Sequence, residues 1–298
     1  MEISIGIILY FPTIENINQI LTLKDLVEKI YLYDNTDDKE VASKIKKQFS
    51  NHMNFEYING KTNDGMAKAL NNLCKRAIKH KHDFIITLDQ DSIFEKEEIE
   101  EYIYIIKKEV NKDYGIGLFG PQIVYLDGKL SVSDSKKKTN NNTNELQITN
   151  REWIITSGSA INLSIFSNME GFDEKYFIDR VDHDYCKQLR NHNKKIVQIN
   201  NIQLYQHLGN NTKNILMYTY SEHNSLRNYY MFRNRIYYYN KFYEGVEKQL
   251  KIVLGSAKQM ILILIFDKNK YSKIKKIVEG YQSYKKGELY EYNNYINR

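Results

Sequence analysis

Two carboxylates stand one residue apart in ITLDQDS, residues 86–92, where an apolar run gives way to Asp89 and then Asp91. Placed at the end of a strand, such a pair suits a hard divalent cation. Mg²⁺ or Mn²⁺ takes few protein oxygens and completes its shell with water and ligand phosphates. One carboxylate can hold the ion while the other meets a sugar or ribose hydroxyl. The alternative is a solvated turn that opens a helix. Ser92 and Glu95 are spaced as a capping box, acidic residues from Glu97 to Glu101 follow, and Lys107 and Lys108 come late, an order that suits the helix dipole.

The pair matters only if the fold holds it at a cleft. Residues 1–125 alternate apolar runs with helical patterns: ISIGIILYF, KIYLYDN, NFEYIN, DFIITLD and GIGLFGPQIVY read as strands, and residues 14–28, 39–49 and GMAKALNNLCKRAIKH as helices. This alternation predicts an α/β fold whose largely parallel sheet is covered on both faces. Ligands of such sheets bind beyond the carboxyl ends of the strands, where Asp34 and Asp89 both fall. Residues 131–147, SVSDSKKKTNNNTNELQ, read as a polar loop over the site or a surface insertion. From 213 onward the pattern is helical and rich in Tyr, Arg and Lys, which divides the chain into a core at 1–212 and a helical region at 213–298.

Composition narrows the classes. A charge of +6 over 298 residues is a modest basic excess that suits an anionic small ligand or a membrane surface. Two cysteines, Cys74 and Cys186, provide no disulfide framework and point to a reducing compartment. Neither C-x-x-C nor H-E-x-x-H occurs, which argues against structural zinc and zincins. The chain enters a strand pattern directly after Glu2, so a first strand is expected there rather than a signal peptide. No apolar stretch reaches the roughly 18 residues that span a bilayer.

A second acidic group, Asp179, Asp182 and Asp184, lies in SGSAINLSIFSNMEGFDEKYFIDRVDHDYCKQLR, residues 157–190. As a helix start these residues could serve only the dipole. The segment GFDEKYFIDRVDHDYCKQLR, however, resembles the acceptor and catalytic segment of inverting family 2 glycosyltransferases of the GT-A fold, and more narrowly that of bacterial rhamnosyltransferases. LYFP near the start, YDNT at 33–36, NDGMAKALN at 63–71 and LDQDS at 88–92 occur in the family's order, so the resemblance covers residues 3–210.

The resemblance implies a Rossmann-like GT-A domain that transfers a sugar from a nucleotide-diphosphate donor. Inversion requires a single base, opposite the leaving group, that takes the acceptor hydroxyl's proton. The leaving diphosphate needs its charge neutralised, as a metal does. By resemblance Asp182 is the base; Asp179 is the second candidate or an acceptor contact, and Asp184 is structural or an acceptor contact. Asp89 and Asp91 would hold Mg²⁺ or Mn²⁺, with Asp89 also facing the donor. His207, in YQHLGN, resembles a family histidine near metal and diphosphate, a packed or solvated ring being the alternative.

For the nucleotide, Asp34 matches the family's contact to the pyrimidine base, and Asn35 joins it or closes an Asx turn. In the segment around Asp64, Gly65 permits close backbone approach at a helix N-terminus facing ribose or phosphate. Lys68 then neutralises charge or is a surface lysine. Ser157 and Gly158 resemble the acceptor-side element, and Trp153, the only tryptophan, either stacks on a sugar ring or packs in the core. One departure stands out: the family usually carries an arginine a few residues after the base, where this chain has Gln188, with Arg190 two positions later.

The resemblance favours dTDP-rhamnose as donor and a hydroxyl of a surface polysaccharide or polyprenyl-linked oligosaccharide as acceptor. A UDP-hexose is the close alternative, because nothing in the sequence reads the sugar's 6-position. A nucleotidyltransferase would carry a Gly-rich basic phosphate loop, which ILYFPTIEN lacks; a non-catalytic nucleotide-sugar-binding domain would keep the fold and lose the base. In LRNYYMFRNRIYYYNKFY, residues 226–243, arginines interleave with tyrosines, but no RNP-like motif accompanies them, so no nucleic-acid partner is expected. VLGSAKQMILILIF, residues 253–266, precedes Lys268, Lys270, Lys273, Lys275 and Lys276. This is the pattern of an interfacial helix on an anionic membrane or, alternatively, of a homodimerisation or core helix. The expected location is cytoplasmic, at the inner face of the membrane.

Overall fold

The computed structural model describes residues 1–125, 147–206, 212–215 and 218–292, without the side chains of 212–215 and 218–221. Strands β1 (Ile3–Leu9), β2 (Ile30–Asp34), β3 (Phe55–Asn59), β4 (Phe84–Asp89), β5 (Ile116–Tyr125), β6 (Ile148–Asn150), β7 (Ala160–Asn162) and β8 (Lys195–Gln206) form one eight-stranded sheet. Its order is β3-β2-β1-β4-β7-β5-β8-β6. Strands β9 (Thr212–Ile215) and β10 (Tyr218–Ser221) pair separately. The sheet is mostly parallel, as predicted. β1 pairs in parallel with β2 and β4, and β5 does so with β8. β7 runs antiparallel between β4 and β5, and β6 antiparallel to β8. The reversed β7 presses the segment before it against the end of β4: Gly158 N–H donates to the Thr87 carbonyl at 2.7 Å, and Thr87 N–H to the Ser159 carbonyl at 2.9 Å.

The helices are α1 (Ile14–Leu21), α2 (Lys39–Phe49), α3 (Gly65–Lys79), α4 (Lys96–Lys112), α5 (Leu163–Phe166), α6 (Val181–Asn191), α7 (Ser225–Phe242), α8 (Gly245–Phe266) and α9 (Lys270–Lys286). They cover both faces of the sheet. One core joins Ile5, Ile7 and Leu32 to Ile20, Phe49 and Tyr102 of α1, α2 and α4. The other joins Tyr31, Tyr33 and Ile85 to Leu70, Phe166 and Tyr185 of α3, α5 and α6. Alternate residues of β2 thus enter opposite cores, the period of a strand buried on both faces.

Three expectations change. The helix expected over 14–28 ends at Leu21 and tightens into a 3₁₀ turn, Thr22–Asp25. The capping box does not form, because α4 starts at Lys96 with Glu95 as its cap, and Ser92 turns away to the site. α8 is longer than its apolar second half suggests. At 22 residues it is long and apolar enough, by length and composition, to cross a bilayer, and most of it is exposed. Glu247, Lys248 and Lys251 interrupt its first half and conceal this in the sequence.

Candidate active site

β4 is buried along its length and delivers Asp89 at its carboxyl end, with Asp91 exposed two residues on. Ser92 N–H donates to the Asp89 carbonyl at 3.1 Å. The Ser92 and Ser157 hydroxyls lie 2.7 Å apart, and Asp89 N–H donates to Ser157 Oγ at 3.4 Å. The serine and glycine of the SG element are thereby fixed beside Asp89. Gly158 has φ +78°, and a Cβ there would stand 2.6 Å from Pro121 Cγ, so glycine is required.

Burial, and then the like charge of Asp91, push the Asp89 carboxyl up to about 6. Two crowded hard-oxygen donors of like charge suit a divalent cation. No group of three or more His, Cys, Asp or Glu gathers among the described residues. An ion held by this pair would therefore take most of its shell from water and ligand oxygens, which is Mg²⁺-like behaviour. His207 lies outside the described residues.

Opposite, the segment 176–180 leads into α6. Phe177, Asp179 and Arg180 all have positive φ, at 62°, 61° and 71°, a conformation that costs non-glycine residues of order 1–3 kcal/mol each. Two fully buried side chains of α7 hold it. The Asn234 amide donates to the carbonyls of Tyr176, Ile178 and Asp179 at 2.8, 2.6 and 3.1 Å. Arg233 donates to those of Lys175, Tyr176 and Tyr290 at 3.1, 3.2 and 2.8 Å. The loop is also tied to the nucleotide half. Met66 N–H donates to the Phe177 carbonyl at 2.6 Å, and a Cβ on Gly65, whose φ is +77°, would meet Phe177 Cδ2 at 2.5 Å.

The turn places Asp182 in the first turn of α6 with its side chain one-fifth exposed. Its Oδ1 accepts the His183 backbone N–H at 2.7 Å and lies 2.8 Å from His183 Nδ1. Burial favours the protonated acid, but the His183 ring and hydrogen bonds, with the Arg180 charge, outweigh it and hold Asp182 below the ordinary carboxylate range. Asp179 Oδ1 accepts from Arg227 Nη2 at 3.2 Å, while its Oδ2 is buried without a partner.

Asp184 is placed differently. It is fully buried and accepts from Tyr176 OH at 2.8 Å and from Lys241 Nζ at 2.9 Å; the same Lys241 nitrogen donates to Asp173 Oδ2 at 2.8 Å. Gln188, in the position of the family's arginine, donates to Asp184 Oδ1 at 2.5 Å. The cation at Asp184 comes from α7. Trp153 stacks on His183, with ring centroids 4.2 Å apart.

At the nucleotide end the polar groups organise one another. Asp34 is buried; its Oδ1 accepts Thr36 N–H at 2.8 Å and its Oδ2 accepts Tyr57 OH. Asn35 bridges two loops, donating to the Gly65 carbonyl at 3.2 Å and accepting Asp64 N–H at 3.1 Å. Asp64 accepts Tyr33 OH at 2.6 Å and pairs with Lys68, an exposed lysine one turn on. The first two N–H groups of α3 are already taken, Gly65 by Asn63 Oδ1 at 3.1 Å and Met66 by the Phe177 carbonyl.

A cavity of about 450 Å³ is lined among others by Met66, Asp89, Ser157, Asp179 and Asp182, and not by Asp91 or the nucleotide-end residues Asp34, Asn35, Asp64, Gly65 and Lys68. It has the size of a small-ligand site, and Trp153 and Asp184 do not line it. Sequence reasoning missed Arg227, Met231 and Arg235 of α7, which also line it. Their four-residue spacing is the signal of one helix face; among the many tyrosines it reads as ordinary packing. Arg180 and His183 went unnoticed between conspicuous carboxylates.

Residues 12–153 match the family profile described as Glycosyl transferase family 2. A curated relative described as dTDP-rhamnosyl transferase RfbF, from Shigella flexneri, is 24% identical over 277 residues, covering 91% of this chain and 90% of the relative. Among solved structures, S. aureus TarS 1-349 in complex with UDP-GlcNAc aligns with TM-score 0.54 and 12% identity, over 98% of this chain and 93% of that one. GalNAc-T7 with UDP, GalNAc and Mn²⁺ aligns with TM-score 0.55 and 11% identity over 70% of this chain, which spans only 44% of that protein. At these identities the structural likenesses establish the fold, which is GT-A.

Proposed function

We propose that this chain, a glycosyltransferase built on a family 2 domain, moves rhamnose from dTDP-rhamnose, with inversion, to a hydroxyl of a surface glycan or polyprenyl-linked oligosaccharide. The observation that carries the reading is one cleft lined by both Asp89 and Asp182. Asp182, ionised at neutral pH, takes the acceptor proton as the anomeric bond to the diphosphate breaks. His183 orients its carboxylate, and Asp179 receives a sugar hydroxyl on its unpartnered oxygen. Asp34, Asn35, Asp64 and Gly65 shape the pocket for base and ribose, with Lys68 at its edge. Asp89 and Asp91 are the residues that would hold Mg²⁺ or Mn²⁺, an ion that would supply charge neutralisation for the leaving diphosphate; the Mn²⁺ in the GalNAc-T7 structure supports this reading. Residues 1–212 are the catalytic domain, carrying donor and acceptor groups alike, and 213–298 a helical region whose α7 adds Arg227, Met231 and Arg235 to the cleft.

A nucleotide-sugar panel tests this by thermal shift. Stabilisation by dTDP-rhamnose that requires Mn²⁺ and exceeds that by UDP-glucose or UDP-galactose supports the reading. A larger shift with a UDP-sugar, the class bound in the TarS structure, moves the donor to UDP-hexose. No shift with any nucleotide sugar contradicts it.

The acceptor's lipid gives α8 a role. Val246, Leu250, Val253, Leu254, Ile261, Leu264 and Ile265 are exposed along it. Of the five lysines that follow, Lys273 is buried against Glu222 and Asp267, and Lys276 pairs with Glu279. Lys268, Lys270 and Lys275 stay exposed, next to the apolar stripe, as an anionic bilayer surface requires. Cosedimentation with vesicles containing anionic lipid, lost in Leu254→Glu/Ile261→Glu, supports peripheral membrane binding; concentration-dependent dimerisation in its place assigns the stripe to a second copy.

A further inference from the structure

Arg180 and Arg235 are both cationic, both line the cleft beside Asp182, and neither has a carboxylate partner among the described residues. Arg235 is only 8% exposed. Its Nη1 donates to Gln259 Oε1 at 2.8 Å, which leaves the rest of its fork without an acceptor among the described residues. Arg180 is held over two rings of α7, its guanidinium carbon 5.4 Å from the Tyr238 centroid and 5.7 Å from that of Tyr239. Burial and the nearby charge of Arg180 push Arg235 down to about 10. Crowding two unpaired guanidiniums in a half-dry cleft is costly unless an anion joins them.

We infer that Arg180 and Arg235 form an oxyanion site for a phosphate or carboxylate carried by the acceptor glycan, close to the hydroxyl that receives the sugar. This deepens the transferase reading and rests on it. The acceptor, and not the donor, is favoured by the division of charge along the cleft. Arg227 is the arginine whose charge reaches Asp89, whereas that of Arg180 reaches Asp182. Tyr238, which carries Arg180, is also a neighbour of His183, with ring centroids 6.4 Å apart. The planar forks match phosphate or carboxylate bidentately, and the aromatic platform holds one of them in place before the ligand arrives.

The test titrates the full chain, presaturated with dTDP and Mn²⁺, with α-D-glucose 1-phosphate, D-glucuronate and D-glucose. The expected result is that at least one charged sugar binds about tenfold or more tightly than glucose, as charge-assisted pairs require. Which charged sugar wins separates a phosphate-bearing from a uronate-bearing acceptor. Arg180→Gln removes that preference with dTDP affinity intact. Arg235→Lys, which keeps the charge and loses the fork, weakens it and serves as the second variant where Arg180→Gln does not fold. Equal binding of glucose and both charged sugars overturns the proposal, as does a loss of dTDP affinity in Arg180→Gln that matches the loss of charged-sugar affinity, since the pair would then serve the donor diphosphate. Failure of the transferase reading shows separately, as wild-type protein that no nucleotide sugar stabilises in the thermal-shift panel.

Discussion

His183 embraces one oxygen of Asp182 twice, through its backbone N–H at 2.7 Å and through Nδ1 at 2.8 Å, and leaves Oδ2 without a partner among the described residues. This fixes which oxygen is available to an acceptor. It also gives a pH dependence with a definite sign. The folded Asp182 carboxyl is held below its ordinary value, so the base stays ionised through neutrality and its own acid limb lies below the usual carboxylate range, separate from the limb of Asp89 at about 6, which a saturating divalent cation moves down. In His183→Ala the lowering interaction is gone and burial remains. The acid limb of kcat/KM then moves to higher pH, and an unmoved limb would remove His183 from this role.

Asn234 touches no proposed substrate position, yet its amide reaches three carbonyls of the turn before Asp182. Asn234→Ala leaves buried carbonyls unpaired, at a cost of about 1–3 kcal/mol. It also frees a backbone held at positive φ. The expected outcome is a kcat lowered about 10²-fold, the effect of a small misplacement of a reacting group, with nucleotide affinity intact. Parallel loss of both would show a merely global defect.

Lys241 neutralises two carboxylates, Asp173 and the fully buried Asp184. Lys241→Met strands the Asp184 charge and should cost about 3–5 kcal/mol in chemical denaturation. Adding Asp184→Asn should restore most of it. Burial favours protonation of Asp173, but Lys241 prevails and depresses it. The stability that Asp173 contributes is therefore complete above its ordinary unfolded value and is lost as pH falls through the lower folded one. In Lys241→Met that acid-side loss begins at higher pH.

Gly65 joins the donor half to the base loop. At φ +77°, with a would-be Cβ 2.6 Å from the Phe177 carbonyl oxygen, Gly65→Ala must displace the turn that carries Asp182. Both nucleotide affinity and turnover should fall, and full activity at wild-type stability would argue against the coupling.

The donor half was legible because its signals are local. Hydrophobic period placed β1 to β4, and Asp34 and Asp89 followed from the ends of strands. β7 was not legible: three residues set antiparallel in a parallel sheet carry no period of their own, and their pairing to β4 is long-range. The role of α7 was hidden for a related reason. Arg233, Asn234 and Lys241 act on backbone and carboxylates more than fifty positions away, and no spacing within 226–243 announces those partners. Lys241 likewise reaches the buried Asp184 from a different helix, a pairing that no local spacing around Gln188 announces.

The most direct measurement compares binding and transfer in Asp182→Asn. Transfer to acceptor should drop by about 10²–10⁴-fold, the share of a general base, while the dissociation constant for dTDP-rhamnose in the presence of Mn²⁺ stays at the wild-type value. Residual transfer near the wild-type rate, or equal loss of donor binding, would contradict the assignment of Asp182 as the base facing the donor held at Asp89.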